Sequence, residues 1–161
     1  MNIIRSAYAV FPNETYGFLY GHTEITNSQV YHIIESALPL QEIKRTPKNV
    51  HGNSKEEKRL LWGPKNLEEL IGDFHSHPDH MYSISETDIK DTSEDSPIYL
   101  IISIRKIERH RPFTHTEFGI CGNLNNSNMR IGLRGYYYTK KGVKVAKLRV
   151  RKDVLRDIFR M

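Results

Sequence analysis

The chain has 161 residues, a single cysteine and a formal net charge of +5 at pH 7. That length predicts one domain, residues 1–161, with room for a proper core. No apolar run approaches the roughly eighteen residues of a membrane span, and MNIIRSAYAVF returns to polar sequence too early for a secretory signal. Taken in chain order, Ile3, Ile4, Ala7, Val10 and Phe11 recur at helical spacing and predict a short opening helix. Tyr16 to Tyr20 reads as a strand ending at Gly21, and Val30 to Ala37 as a second strand. Residues 39–53, polar and holding Pro39, Pro47 and Gly52, predict a long loop. Ser54 caps a predicted helix that runs to Trp62 and stops before Gly63-Pro64. Leu70 to Ser76 is a strand, followed after Pro78 by a loop and a helix from about Ser85 to Glu94. Ile98 to Ile104 is almost continuously apolar, the mark of a central buried strand. Residues 114–121 and 130–139 are further strands, and Gly142 marks a hairpin before Val143 to Val150. A closing helix, Asp153 to Arg160, carries an apolar stripe of Val154, Leu155, Ile158 and Phe159, read as core packing. No internal repeat, low-complexity tract or second domain is visible, and the pattern is that of a compact α/β domain.

Cysteine usage narrows the function classes. Cys121 alone forms no internal disulfide and fits a cytoplasmic location. Zinc ribbons and fingers need more sulfur ligands, and a zinc nucleobase deaminase needs a P-C-x-x-C element that is absent. Cys121 lies in a predicted strand, where a buried structural thiol is commoner than a nucleophile.

Charge is segregated along the chain. From Glu68 to Asp95 there are nine acidic residues and one basic, Lys90; from Arg130 to Met161 there are eleven basic and two acidic. An acidic neighbourhood attracts a cation. The basic third has three readings, in order: a solvated surface, a docking surface for an acidic protein partner, and a nucleic-acid surface. The last normally comes with a recognisable module or interleaved aromatics. Tyr136-Tyr137-Tyr138 supplies aromatics, but strand alternation buries at least one of them.

The chemistry concentrates at Gly72-Asp73-Phe74-His75-Ser76-His77-Pro78, followed by Ser85 and Asp88: H-x-H-P-x6-S-x2-D. Residues i and i+2 of an extended chain share a face, so His75 and His77 can hold one ion while Ser76 faces away. Zinc takes imidazole nitrogen and carboxylate oxygen, and a catalytic site keeps a position open for water. Asp88 would be the third ligand and water the fourth. Each half has a plainer reading. Two histidines on a strand face are commonly just polar surface, and Ser85-Glu86-Thr87-Asp88 is a capping box, with Ser85 as N-cap and Asp88 near N3. A helix start is also a rigid place to hold a ligand, so the cap and the ligand readings coexist. His80 is close enough in sequence to compete; His22, His32, His51, His110 and His115 have no ligand spacing.

These residues resemble the signature of the JAMM/MPN+ (Mov34/PAD-1, JAB domain) zinc metalloproteases, which place a glutamate upstream of H-x-H-P and then serine and aspartate at this spacing. The upstream element is matched by Pro12-Asn13-Glu14-Thr15-Tyr16-Gly17-Phe18-Leu19-Tyr20-Gly21, with Glu14 as the glutamate. By its own neighbours Glu14 reads as a solvated residue at a Pro-Asn turn. Ile84 departs from the family, in which many members have proline before the serine; it removes no ligand. The resemblance covers residues 1 to about 140 and leaves the basic strand and helix at 143–160 unmatched.

The resemblance implies a curved mixed β-sheet flanked by helices, a cytidine-deaminase-like architecture, and one Zn2+ with a bound water on His75, His77 and Asp88. It implies Glu14 as general base, passing a proton to the leaving amine, and Ser85 as donor to the oxyanion. The implied activity is isopeptidase cleavage of a ubiquitin-like protein from its target, by a standalone enzyme of prokaryotic type. The rivals are a non-catalytic MPN-type scaffold, a DNA-associated role, and a peptidase for small amino-acid adducts of sulfur-carrier-like proteins.

Overall fold

The computed structural model describes residues 2–40, 44–45, 50–51, 69–78, 83–91, 98–109, 111–125 and 127–159. An opening helix, α1 (Asn2–Val10), leads into a long antiparallel hairpin of β1 (Tyr16–Thr26) and β2 (Gln29–Pro39). Asn27 and Ser28 make its turn with φ of 50° and 61°, the left-handed pair that a two-residue hairpin loop demands. Short strands β3 (Lys44–Arg45) and β4 (Val50–His51) pair with each other. The chain then contributes β5 (Glu69–Pro78), α2 (Glu86–Asp91), β6 (Ile98–Lys106), β7 (Thr114–Thr116), β8 (Gly119–Asn123), β9 (Met129–Thr139), β10 (Gly142–Val145) and α3 (Lys152–Ile158). The main sheet runs β2-β1-β5-β6-β9-β8-β7, with β10 also on β9. Among the described residues only β5 and β6 pair in parallel within it. The α/β class with a curled mixed sheet and flanking helices is the one expected.

Alternation along the central strands separates two faces. Phe74, Leu100, Ile102, Leu133, Ile131 and Ile120 point to one side, where Ile3, Ile4 and Ala7 of α1 and Leu155 and Phe159 at α3 complete the main core. A smaller cluster of Tyr99, Ile101 and Tyr136 lies on the other side, and Ile84 packs onto it. The predicted stripe of the closing helix is thus core packing at Leu155 and Phe159. Of the three tyrosines Tyr136 is buried, as alternation requires. Among the described residues no helix is long and apolar enough to cross a membrane.

Several boundaries differ from expectation. Strand β1 does not end at Gly21; it continues to Thr26 through a bulge at Tyr20/Gly21. Gly21 marks that bulge because a Cβ there would lie 1.8 Å from the Ile33 carbonyl oxygen. Residues 114–121 are two strands, turned at Glu117-Phe118. The Thr116 hydroxyl closes that turn by donating to the Gly119 carbonyl and accepting from the Phe118 N–H, each at 3.3 Å, and Gly119 ends it. Strand β10 stops at Val145 rather than Val150, because further along the same edge β9 is already occupied by β8 at Arg130–Leu133. The expected long loop over 39–53 contains the β3–β4 pair, and Cys121 in β8 is only half-buried. The helix expected over Ser54–Trp62 lies outside the described residues.

Gly21→Ala forces a methyl group into the neighbouring backbone and should cost about 1–3 kcal/mol, read as a lowered midpoint in denaturant unfolding.

Candidate metal centre

Strand β5 delivers the two histidines from the interior of the sheet. In register, Tyr16 and Ile101 flank His75, and Ser103 lies beside His77. The His75 ring meets Tyr99 edge-on, with centroids 5.0 Å apart. The imidazoles come together at Nε2, 2.6 Å apart.

Asp88 arrives from α2. Its carboxylate bridges the pair, with Oδ1 3.4 Å from His75 Nε2 and Oδ2 3.4 Å from His77 Nε2. The capping box expected at Ser85 is present and reciprocal: the Ser85 N–H donates to Asp88 Oδ2 at 2.7 Å, and the Asp88 N–H donates to Ser85 Oγ at 3.1 Å. One carboxylate therefore serves both the helix cap and the histidines. Burial alone would push the Asp88 carboxyl up, but its hydrogen bonds to His75 and His77 outweigh that and hold it well below the usual range.

Glu14 is buried, at 8% exposure, not solvated at a turn as its neighbours imply. The reason is tertiary. The Thr15 N–H donates to Ser76 Oγ, and the Ser76 N–H donates to the Thr15 carbonyl, both at 2.9 Å. This pair of bonds extends the β1–β5 pairing by one residue and draws Glu14 over the sheet. Ser76 does face away from the histidines, and it uses that orientation to hold the glutamate's neighbour. Burial, opposed by His77 and assisted by Asp88, pushes the Glu14 carboxyl from its ordinary 4.5 to about 7. Those two influences also place Glu14 within electrostatic reach of the His–Asp cluster.

His75, His77 and Asp88 each offer a ligand atom, all within 4.8 Å of one another. Ligands 2.0–2.1 Å from a tetrahedral centre stand about 3.4 Å apart, the separation found on both His–Asp edges, while the two Nε2 atoms stand closer, at 2.6 Å, and would have to part to admit an ion. Two imidazoles and a carboxylate suit a divalent transition-metal ion. Their side chains are 5%, 11% and 16% exposed, dry enough to strengthen electrostatics. Ser85, exposed, sits at the rim as the cap residue. His80 lies outside the described residues. His22 and His32 are tied up on the β1–β2 hairpin, with Glu24 and Glu35 and with Thr23. Ser76 and Tyr136 also hold the site's segments; their partners lie 61 and 52 positions away, and no local pattern signals either.

Residues 1–115, which include Glu14, His75, His77, Ser85 and Asp88, match the family described as prokaryotic homologs of the JAB domain. The chain belongs to that family. The solution structure of protein DSY2949 from Desulfitobacterium hafniense is similar in fold, with a TM-score of 0.62 at 20% identity over 93% of this chain and 86% of that one. No curated protein matches the chain in sequence.

Glu14 has a pH signature in the metal-free protein. Below about pH 4.5 it is protonated whether folded or not. From there to about 7 only the unfolded chain ionises it, so its contribution to stability is lost as pH rises. Metal-free Glu14→Gln escapes that loss, so its melting temperature relative to wild type should climb between pH 4.5 and 8. A constant difference across that range would argue against a buried, protonated Glu14.

Proposed function

We propose that this protein is a zinc-dependent isopeptidase or peptidase that hydrolyses the amide joining a ubiquitin-like modifier's C-terminus to its target. The observation that carries the reading is the convergence of His75, His77 and Asp88 on one point, with a buried carboxyl of raised pKa beside them. Membership of the JAB family supports a hydrolytic role for that arrangement.

His75, His77 and Asp88 would hold the ion. When bound, zinc supplies Lewis acidity and makes water a usable nucleophile near neutral pH. Glu14 takes a proton at its carboxylate and returns it to the leaving amine nitrogen, a task suited to a carboxyl tuned toward 7. Ser85 Oγ already accepts the Asp88 N–H; its own proton is the proposed donor to the oxyanion. The exposed basic residues Lys140, Lys141, Lys144, Lys147, Arg149, Arg151, Lys152 and Arg156 form the proposed docking surface for an acidic protein partner. Two of them already have acidic neighbours, Lys147 with Glu117 and Arg151 with Asp153.

The test is cleavage of a panel of ubiquitin-like isopeptide conjugates, with metal content measured in parallel. Wild type should cleave at least one conjugate and stop on chelation. Glu14→Ala should keep zinc and lose turnover, and Asp88→Ala should lose both. Ser85→Ala should retain zinc and fall roughly 10²–10³-fold in rate, beyond the loss of its cap. Full activity in Glu14→Ala sinks the mechanism. A zinc-loaded wild type that cleaves no conjugate turns the reading toward small amino-acid adducts or a non-catalytic scaffold.

A further inference from the structure

We propose that Tyr136 is a positioning residue for Asp88, acting through the backbone of Ile84. The proposal rests on the reading of His75, His77 and Asp88 as a metal site.

Among the described residues, few contacts hold helix α2 in place. It spans six residues, Glu86–Asp91, far below the length at which a helix persists alone. Its one large apolar residue, Ile89, is 42% exposed. Yet its Asp88 must meet two histidines on a different element within a few tenths of an ångström. The anchoring contact lies one residue before the cap. The Ile84 N–H donates to the Tyr136 hydroxyl at 3.2 Å, while the Ile84 side chain packs on Tyr99, Ile101 and Tyr136. Tyr136 is itself 4% exposed and registers beside Tyr99 in the sheet. Tyr99 in turn stands edge-on to His75. One buried cluster thus touches a histidine ligand on one side and, through Ile84, the capping box of the carboxylate ligand on the other. Tyr136 lies on β9, beyond the residues 1–115 that match the family. A proline at 84 would have no N–H to give this hydroxyl, so the isoleucine there is what makes the tether available.

Tyr136→Phe keeps the ring and deletes the acceptor. In the metal-free protein, amide hydrogen exchange should speed up at Ile84 and at Asp88, whose N–H closes the cap. Zinc affinity, measured by competition with a chelator, should fall roughly tenfold, as for other groups that orient a ligand from behind. Exchange at the sheet amides of His75 and Ile101 should stay as in wild type, because the ring of Tyr136 and the strand pairing are kept. Unchanged exchange and affinity in Tyr136→Phe overturns the proposal. So does exchange at His75 and Ile101 that speeds up as much as at Ile84, which would mean general damage to the sheet. A wild type that takes up no zinc brings down the underlying metal reading instead. Zinc uptake by wild type with an unaffected Tyr136→Phe brings down the tether alone.

Discussion

Strand β5 has to satisfy two opposite environments with alternate residues. Gly72, Phe74 and Ser76 face the main core, while Asp73, His75 and His77 face the other side. The site depends on that alternation holding without a slip, because a shift of one residue would drive both imidazoles into the apolar core and Phe74 into the site. Register is secured from both edges. Antiparallel β1 pairs Tyr16 with His75, and parallel β6 pairs Ile101 with it. The fully buried Phe74, Ile102 and Ile104 make any slip costly. The histidines are consequently placed by the packing of the opposite face.

The remaining groups reach the histidines by two short tethers. Glu14 is drawn in by the Thr15–Ser76 bond pair, which uses the residue between the two histidines. Asp88 is drawn in by a capping box in which its carboxylate accepts the Ser85 N–H while facing the imidazoles. That shared carboxylate explains how a short helix can present a ligand: the geometry that starts the helix also aims the oxygen. The two carboxyls then separate in character. Asp88, bonded to imidazoles, stays ionised; Glu14, buried with less compensation, rises toward neutral pH. Divergent environments for neighbouring carboxyls are a common basis for dividing ligand and proton-transfer roles.

Legibility in the sequence followed the range of each interaction. The opening helix, the central strand at Ile98–Ile104 and the H-x-H strand were readable because their signals are periodicities within a few residues. Ser85–Asp88 was readable as a cap for the same reason. The two-strand character of residues 114–121 was harder to read because its two central turn residues, Glu117 and Phe118, are not turn formers and a threonine hydroxyl supplies the closing bonds. The early end of β10 was hidden because it depends on which strand already occupies β9.

What the sequence determined by itself was the set of donor types and their local phase: two imidazoles on one strand face, and a carboxylate three residues after a helix cap. These follow from the two-residue repeat of extended chain and from the geometry of a helix's first turn, which need no distant partner. Only the tertiary structure decided that Glu14 is buried, that Asp88 meets the histidines, and that Tyr136 and Ser76 hold the segments that bring them there. The Tyr136 and Ser76 contacts span 52 and 61 positions, and Asp88 meets the histidines from a separate element. They exist only once sheet register and the two packed faces have brought remote backbone groups within hydrogen-bonding distance.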